Sequence, residues 1–173
     1  MSDHRETRLS NPRISRFFMN TTLVVGSIGY FIGFSKLGSD GCQAAVSPVA
    51  LLSVGIVGIL SMVRHSVFHR SDAIRMGWDQ GHRNNFQIEV GFANLAIGLP
   101  AVIAVTLNLH VLVQSAFVFV YALYFIQVAA LVLLDRDDGQ INWARLILIL
   151  MQAGLLGYFS ISAIAAEWNQ QTS

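Results

Sequence analysis

The sequence predicts an all-α integral membrane protein: a compact bundle of five transmembrane helices, N-terminus cytoplasmic and C-terminus outside. Three observations carry that reading. Of 173 residues, 54% are hydrophobic and only 12% charged, against about 25% charged in a soluble domain. The apolar residues gather into five runs of 18 to 24 residues, near 17–35, 46–63, 86–108, 111–134 and 144–166. Each is long enough, at about 1.5 Å per residue, for a hydrocarbon core of roughly 30 Å. Threading five spans puts ten arginines on one side and Lys36 alone on the other, the asymmetry expected when positive charge stays inside.

Residues 1–16 form a basic segment containing Arg5, Arg8, Arg13 and Arg16. The run from Phe17 to Ser35 exceeds the apolar core of a signal peptide and is followed by no small-x-small cleavage site, so it reads as the first span. Its Gly29 and Gly33 allow another helix to approach closely. Lys36 to Ala45 reads as a Gly/Ser/Asp connection, and Ser47-Pro48 as the N-cap and first position of the second span. Nothing in Arg64-His65-Ser66-Val67-Phe68-His69 breaks a helix, so that span is expected to continue beyond the lipid.

Ser71 to Asn85 is the longest connection; Asp72 to Trp78 within it can form a short interfacial turn, with Ile74 and Trp78 four apart and Trp78 suited to the headgroup level. Asn84 and Asn85 are capping residues for the third span, with Gln87 at capping-box spacing. In that span Gln87, Gly91, Asn94 and Gly98 fall within about 60° of one another, a narrow small-and-polar face, which predicts a central helix with Gly91 and Gly98 against a neighbour. Pro100 removes a backbone bond and is expected to kink it. The fourth span carries Tyr121, Tyr124 and Gln127. Asp135 to Gly139 is a turn: aligned as a calcium loop, ligand positions would fall on Leu134 and Arg136. Trp143 and Trp168 bracket the fifth span as interfacial anchors, and residues 169–173 form a polar tail.

The chemistry-bearing residues concentrate between Arg64 and Gly98. His65 and His69, at i and i+4, share a helix face. With Glu89 at the start of the next span they form a candidate metal set, His65, His69 and Glu89, with His82 in the loop between. Arg64 and Arg83 are candidate partners for Glu89, itself about 200° around the helix from Gln87. A carboxylate in a first helical turn is also favoured simply by the macrodipole. Asn94 lies deeper, where an amide must find a partner, and interhelical hydrogen bonding is its plain role. Arg64, His65, His69, Trp78, Glu89 and Asn94 together make the candidate ligand site, at the cytoplasmic ends of the second and third spans.

The same stretch resembles an uncharacterised bacterial membrane family, a domain of unknown function with a pattern close to H-x-x-F … G-W … F-Q-x-E … F-A-N-L-x-x-G. His65, Phe68, Ala73, Gly77-Trp78, Phe86-Gln87, Glu89, Phe92-Ala93-Asn94-Leu95 and Gly98 carry the resemblance. It implies a fold and no known activity. Family members usually have Pro after the Gly-Trp and Ser-Pro before the Phe-Gln. Here Asp79 and the polar run Gln80 to Asn85 stand instead, and Gln127 stands where members tend to place a histidine.

Charge and motif exclude several classes. A net charge of +1, with the basic residues flanking apolar runs, is unlike a nucleic-acid binder. One cysteine, Cys42, permits no internal disulfide. No nucleophile elbow, P-loop or dinucleotide fingerprint occurs, and no cofactor is specified. The reading that asks least of the sequence is a multi-pass inner-membrane binding or accessory protein, whose partners are the bilayer and a membrane subunit or small ligand. The alternatives are a membrane-edge metal- or quinone-linked oxidoreductase, and a small transporter or channel using Asn94, Tyr121, Tyr124 and Gln127.

Overall fold

A computed structural model describes residues 10–77, 79, 81, 83–134 and 141–172. Trp78, His82, Arg5, Arg8 and the Asp135–Gly139 turn lie outside the described residues. Among those described there are six helices and no strand: α1 Pro12–Ser39, α2 Cys42–Val67, α3 His69–Met76, α4 Asn85–Thr106, α5 Val111–Leu134 and α6 Trp143–Thr172. All but α3 are long and apolar enough to cross a membrane. The distribution of side chains suits lipid. Phe31, Phe34, Leu134 and Ile161 point outward, while Ser15, Thr22, Ser53, Asn94 and Ser160 are buried. Helices that share an apolar solvent have little hydrophobic reason to associate, so small and polar residues make their contacts.

Local chemistry sets the ends. Asn11 caps α1 by accepting from the Arg13 N–H at 3.0 Å, with Pro12 in the first turn. The connection to α2 is only Asp40-Gly41, shorter than the predicted Lys36–Ala45. The Lys36 carbonyl accepts from the N–H groups of both Asp40 and Gly41, at 2.7 and 3.1 Å. Gly41, at φ 86°, reverses the chain where a side chain would be strained. The second helix therefore starts at Cys42, and Ser47-Pro48 is inside it rather than at its cap. Pro48 removes a donor and crowds the preceding turn, and a wider π-helical stretch, Val49–Ile56, follows directly. Asn84 caps α4 by accepting from the Gln87 N–H at 3.2 Å, as the sequence predicted.

The most buried of the long helices is α2, packed against α1, α4, α5 and α6. The centre of the bundle is thus the second span, where the sequence had favoured the third. The Gly91/Gly98 face does meet a neighbour, and that neighbour is α2. A Cβ on Gly98 would lie 2.9 Å from the Gly55 carbonyl oxygen and 3.0 Å from the Gly58 Cα, so the two backbones touch. On α1, Gly29 faces Ser53, whose hydroxyl donates to the Gly26 carbonyl at 2.8 Å. Around this seam lies a core of Val49, Val54, Val118, Leu156 and Phe159. At the edge where α6 ends, Glu167 accepts from Gln43 Nε2 at 2.6 Å and faces His110 Nε2 at 3.2 Å. This ties the start of α2 to the α4–α5 turn.

Candidate functional site

At the opposite edge α1 begins, α2 ends and α4 begins. The last turn of α2, Val63–Val67, is again π-helical, with the Phe68 N–H bonding the Val63 carbonyl five residues back at 3.1 Å. Such turns are rare and concentrate at functional sites. The chain then bends at Phe68 into α3, which ends at Gly77 in the left-handed conformation, φ 76°. Adjacent residues on a regular helix do not face one point, yet Arg64 and His65 both reach the same side chain on α3.

That side chain is Asp72, only 1% exposed. Its Oδ1 accepts from the Ser15 hydroxyl of α1 and from Arg75 Nη2 at 3.0 Å, with Arg64 Nε at 3.7 Å. Its Oδ2 accepts from Gln87 Nε2 of α4 at 2.6 Å. His65 Nδ1 lies 2.9 Å from Oδ2, in ion-pair range but off the hydrogen-bond line. Beside Asp72, Ser71 accepts from the Ser15 N–H at 3.1 Å and donates to the Asn11 carbonyl. One carboxylate therefore joins α1, α2, α3 and α4.

The contacts of His65 point to a neutral ring. Arg64 Nη2 lies 2.6 Å from His65 Nε2; a guanidinium can only donate, so Nε2 accepts and the ring proton resides on Nδ1, facing Asp72. His65 is then neutral, wedged between a cation and an anion. Burial alone would raise the Asp72 carboxyl. The His65 ring at 2.9 Å, the Arg64 charge and the Ser15 hydroxyl outweigh it and hold the group well below the usual carboxylate range. Among the described residues two guanidiniums thus stand over one carboxylate, with a net charge of plus one.

The predicted site residues fall into distinct places. Arg64 and His65 are in the cluster. His69 Nδ1 faces the Ser66 carbonyl at 3.0 Å instead. Glu89 is exposed and enters no ion pair among the described residues; Arg64, its predicted partner, pairs with Asp72. The wheel explains this, since Gln87 faces inward and Glu89 lies on another side of α4. Among the described residues no three His, Cys, Asp or Glu side chains are placed to hold a metal ion, so His65, His69 and Glu89 are not brought together as a ligand set. Asn94 lies deeper: its Oδ1 accepts from the Tyr121 hydroxyl at 2.9 Å, and its Nδ2 donates to the Val90 carbonyl at 2.8 Å and faces the Tyr124 hydroxyl at 3.3 Å. It acts as glue between α4 and α5. Gln127 is exposed, and Gln152 accepts from Tyr30 at 2.6 Å.

Sequence reasoning passed over Asp72, Ser15, Arg75 and Gln87 as site residues. A signal was present: Asp72 lies seven residues after His65 and three before Arg75, near-helical spacings that would align all three only if the chain stayed helical past the span.

A bundle of five membrane-length apolar helices closed at one edge by a buried carboxylate–guanidinium cluster defines the class of protein. The chain belongs to a family of unknown function, DUF6790, whose model matches residues 14–138. That match takes in every residue of the Asp72 cluster. No curated protein and no solved structure gives a significant match to the chain.

Proposed function

We propose that this is a multi-pass inner-membrane binding or accessory protein whose site is the Asp72 cluster, at the cytoplasmic ends of α2 and α4. The observation that carries the reading is the charge count: Arg64 and Arg75 share one carboxylate at ion-pair distance, in a site only 15% and 17% exposed at the two arginines. A purely structural latch needs one cation per anion, because each buried charge must be offset. Among the described residues the second guanidinium has no anion of its own, which leaves it for a ligand. The π-helical turn at Arg64 and His65 supports the same view. The cytoplasmic side follows from the ten-to-one charge asymmetry.

Two measurements test it. Reporter fusions after Asp40 and after the C-terminus should both report the outer side, and a cytoplasmic C-terminus would remove the assigned orientation. Native protein extracted in mild detergent should carry a component, identified by mass spectrometry, that Arg64→Gln and Arg75→Gln proteins lose while keeping native helicity and a single elution peak. If both variants retain what the native protein carries, or the native protein carries nothing, the cluster is a latch and the binding reading fails.

A further inference from the structure

Resting on the reading above, we propose that the cluster binds a phosphate group, held between the guanidiniums of Arg64 and Arg75. The donor inventory leads there. Arg75 uses Nε and Nη2 on Ser15 and Asp72, and Arg64 uses Nη2 on His65. The Nη1 groups of both make no hydrogen bond among the described residues, and Arg64 Nε is buried without one. Its distance of 3.7 Å from Asp72 is too long for a hydrogen bond. A neutral His65 adds no charge, so among the described residues the cluster is short of one anion.

The position at the ends of apolar helices favours phosphate among the anions a guanidinium can pair. Planar guanidinium forks match tetrahedral phosphate oxygens with paired, charge-assisted bonds. Asp72 is already saturated by Ser15, Arg75 and Gln87, so it holds the arginines in place rather than competing for the ligand. The cluster lies at the ends of apolar helices, the depth at which a lipid headgroup phosphate and a soluble phosphate compound are both within reach. Arg83, exposed in the preceding loop and in no ion pair among the described residues, provides the control for non-specific attraction.

The test measures the melting temperature of the detergent-solubilised full chain under two additions. One is inorganic phosphate against chloride at equal ionic strength. The other is mixed micelles with phosphatidylglycerol against phosphatidylcholine. Phosphate or phosphatidylglycerol should raise the melting temperature saturably. Arg75→Gln should weaken the half-saturating concentration about ten- to a hundredfold, and Arg83→Gln should leave it unchanged. A response to inorganic phosphate identifies a soluble phosphate ligand; a response to phosphatidylglycerol alone identifies a headgroup. If neither addition stabilises the native protein, or Arg83→Gln weakens the response as much as Arg75→Gln, the phosphate assignment is overturned. Loss of a co-purifying component in the arginine variants would then still uphold a binding site for another ligand, and retention would remove both readings.

Discussion

Asp72→Asn should be the most damaging single change at the cluster, lowering stability by about 3–5 kcal/mol, the range for stranding a buried charge. The substitution keeps the shape of the side chain but leaves Arg64 and Arg75 facing each other with no anion between them. It also weakens contacts to Ser15 on α1 and Gln87 on α4, so four helices lose their common joint. Arg75→Gln should cost clearly less, because Arg64 remains to balance Asp72. Thermal melts of the purified proteins followed by helicity give the order directly. Equal losses would mean that both arginines are needed to neutralise the carboxylate environment, and the surplus charge would be an illusion.

The same group predicts a pH dependence with a definite sign. The Asp72 carboxyl is depressed in the folded protein, so its contribution is fully present above the unfolded carboxylate value of about 3.9 and is lost as pH falls towards the folded value. The difference in melting temperature between native and Asp72→Asn proteins should be constant from about pH 7 to 5 and shrink below about pH 4.

Hydropathy made the five long helices legible, because a bilayer demands length and apolarity and little else. The capping by Asn84 and the close approach at Gly98 were legible too, since each depends on one residue's local chemistry. What escaped was whatever depends on the path of the chain after Val67. Arg64, His65 and Glu89 looked like neighbours because they border the same loop. The chain instead makes a π-helical turn, bends at Phe68 and forms α3, whose Asp72 takes the place assigned to Glu89. Gln87 belongs to the inward face of α4 on the sequence alone, yet its partner does not emerge, because Asp72 sits in a connection read as holding only a short interfacial turn, where the chain forms the helix His69–Met76. The central place of α2 was hidden for a similar reason. Its small residues Ser53, Gly55 and Gly58 lie in a run so uniformly apolar that no face stands out.

Those small residues carry the second large effect. Gly98→Leu and Gly58→Leu should each destabilise the bundle by about 1–3 kcal/mol or more, the cost of forcing side chains into a packed seam. A Cβ on Gly58 would lie 2.8 Å from the Asn94 carbonyl oxygen, and one on Gly98 only 2.9 Å from that of Gly55. Backbone cannot swing aside as a flexible side chain can, so α2 and α4 must separate. Separation would also disturb Asn94, which holds Tyr121 and Tyr124 of α5, and the damage should extend beyond the seam. Gly154→Leu on α6 provides the contrast: nothing lies within 4 Å of its Cβ position, and the helix gains up to about 1 kcal/mol by losing a glycine. Melting temperatures should therefore fall for Gly58→Leu and Gly98→Leu and hold or rise for Gly154→Leu. A Gly98→Leu protein as stable as the native one would show that α2 and α4 do not meet backbone to backbone, and the arrangement that delivers Gln87 to Asp72 would have to be redrawn.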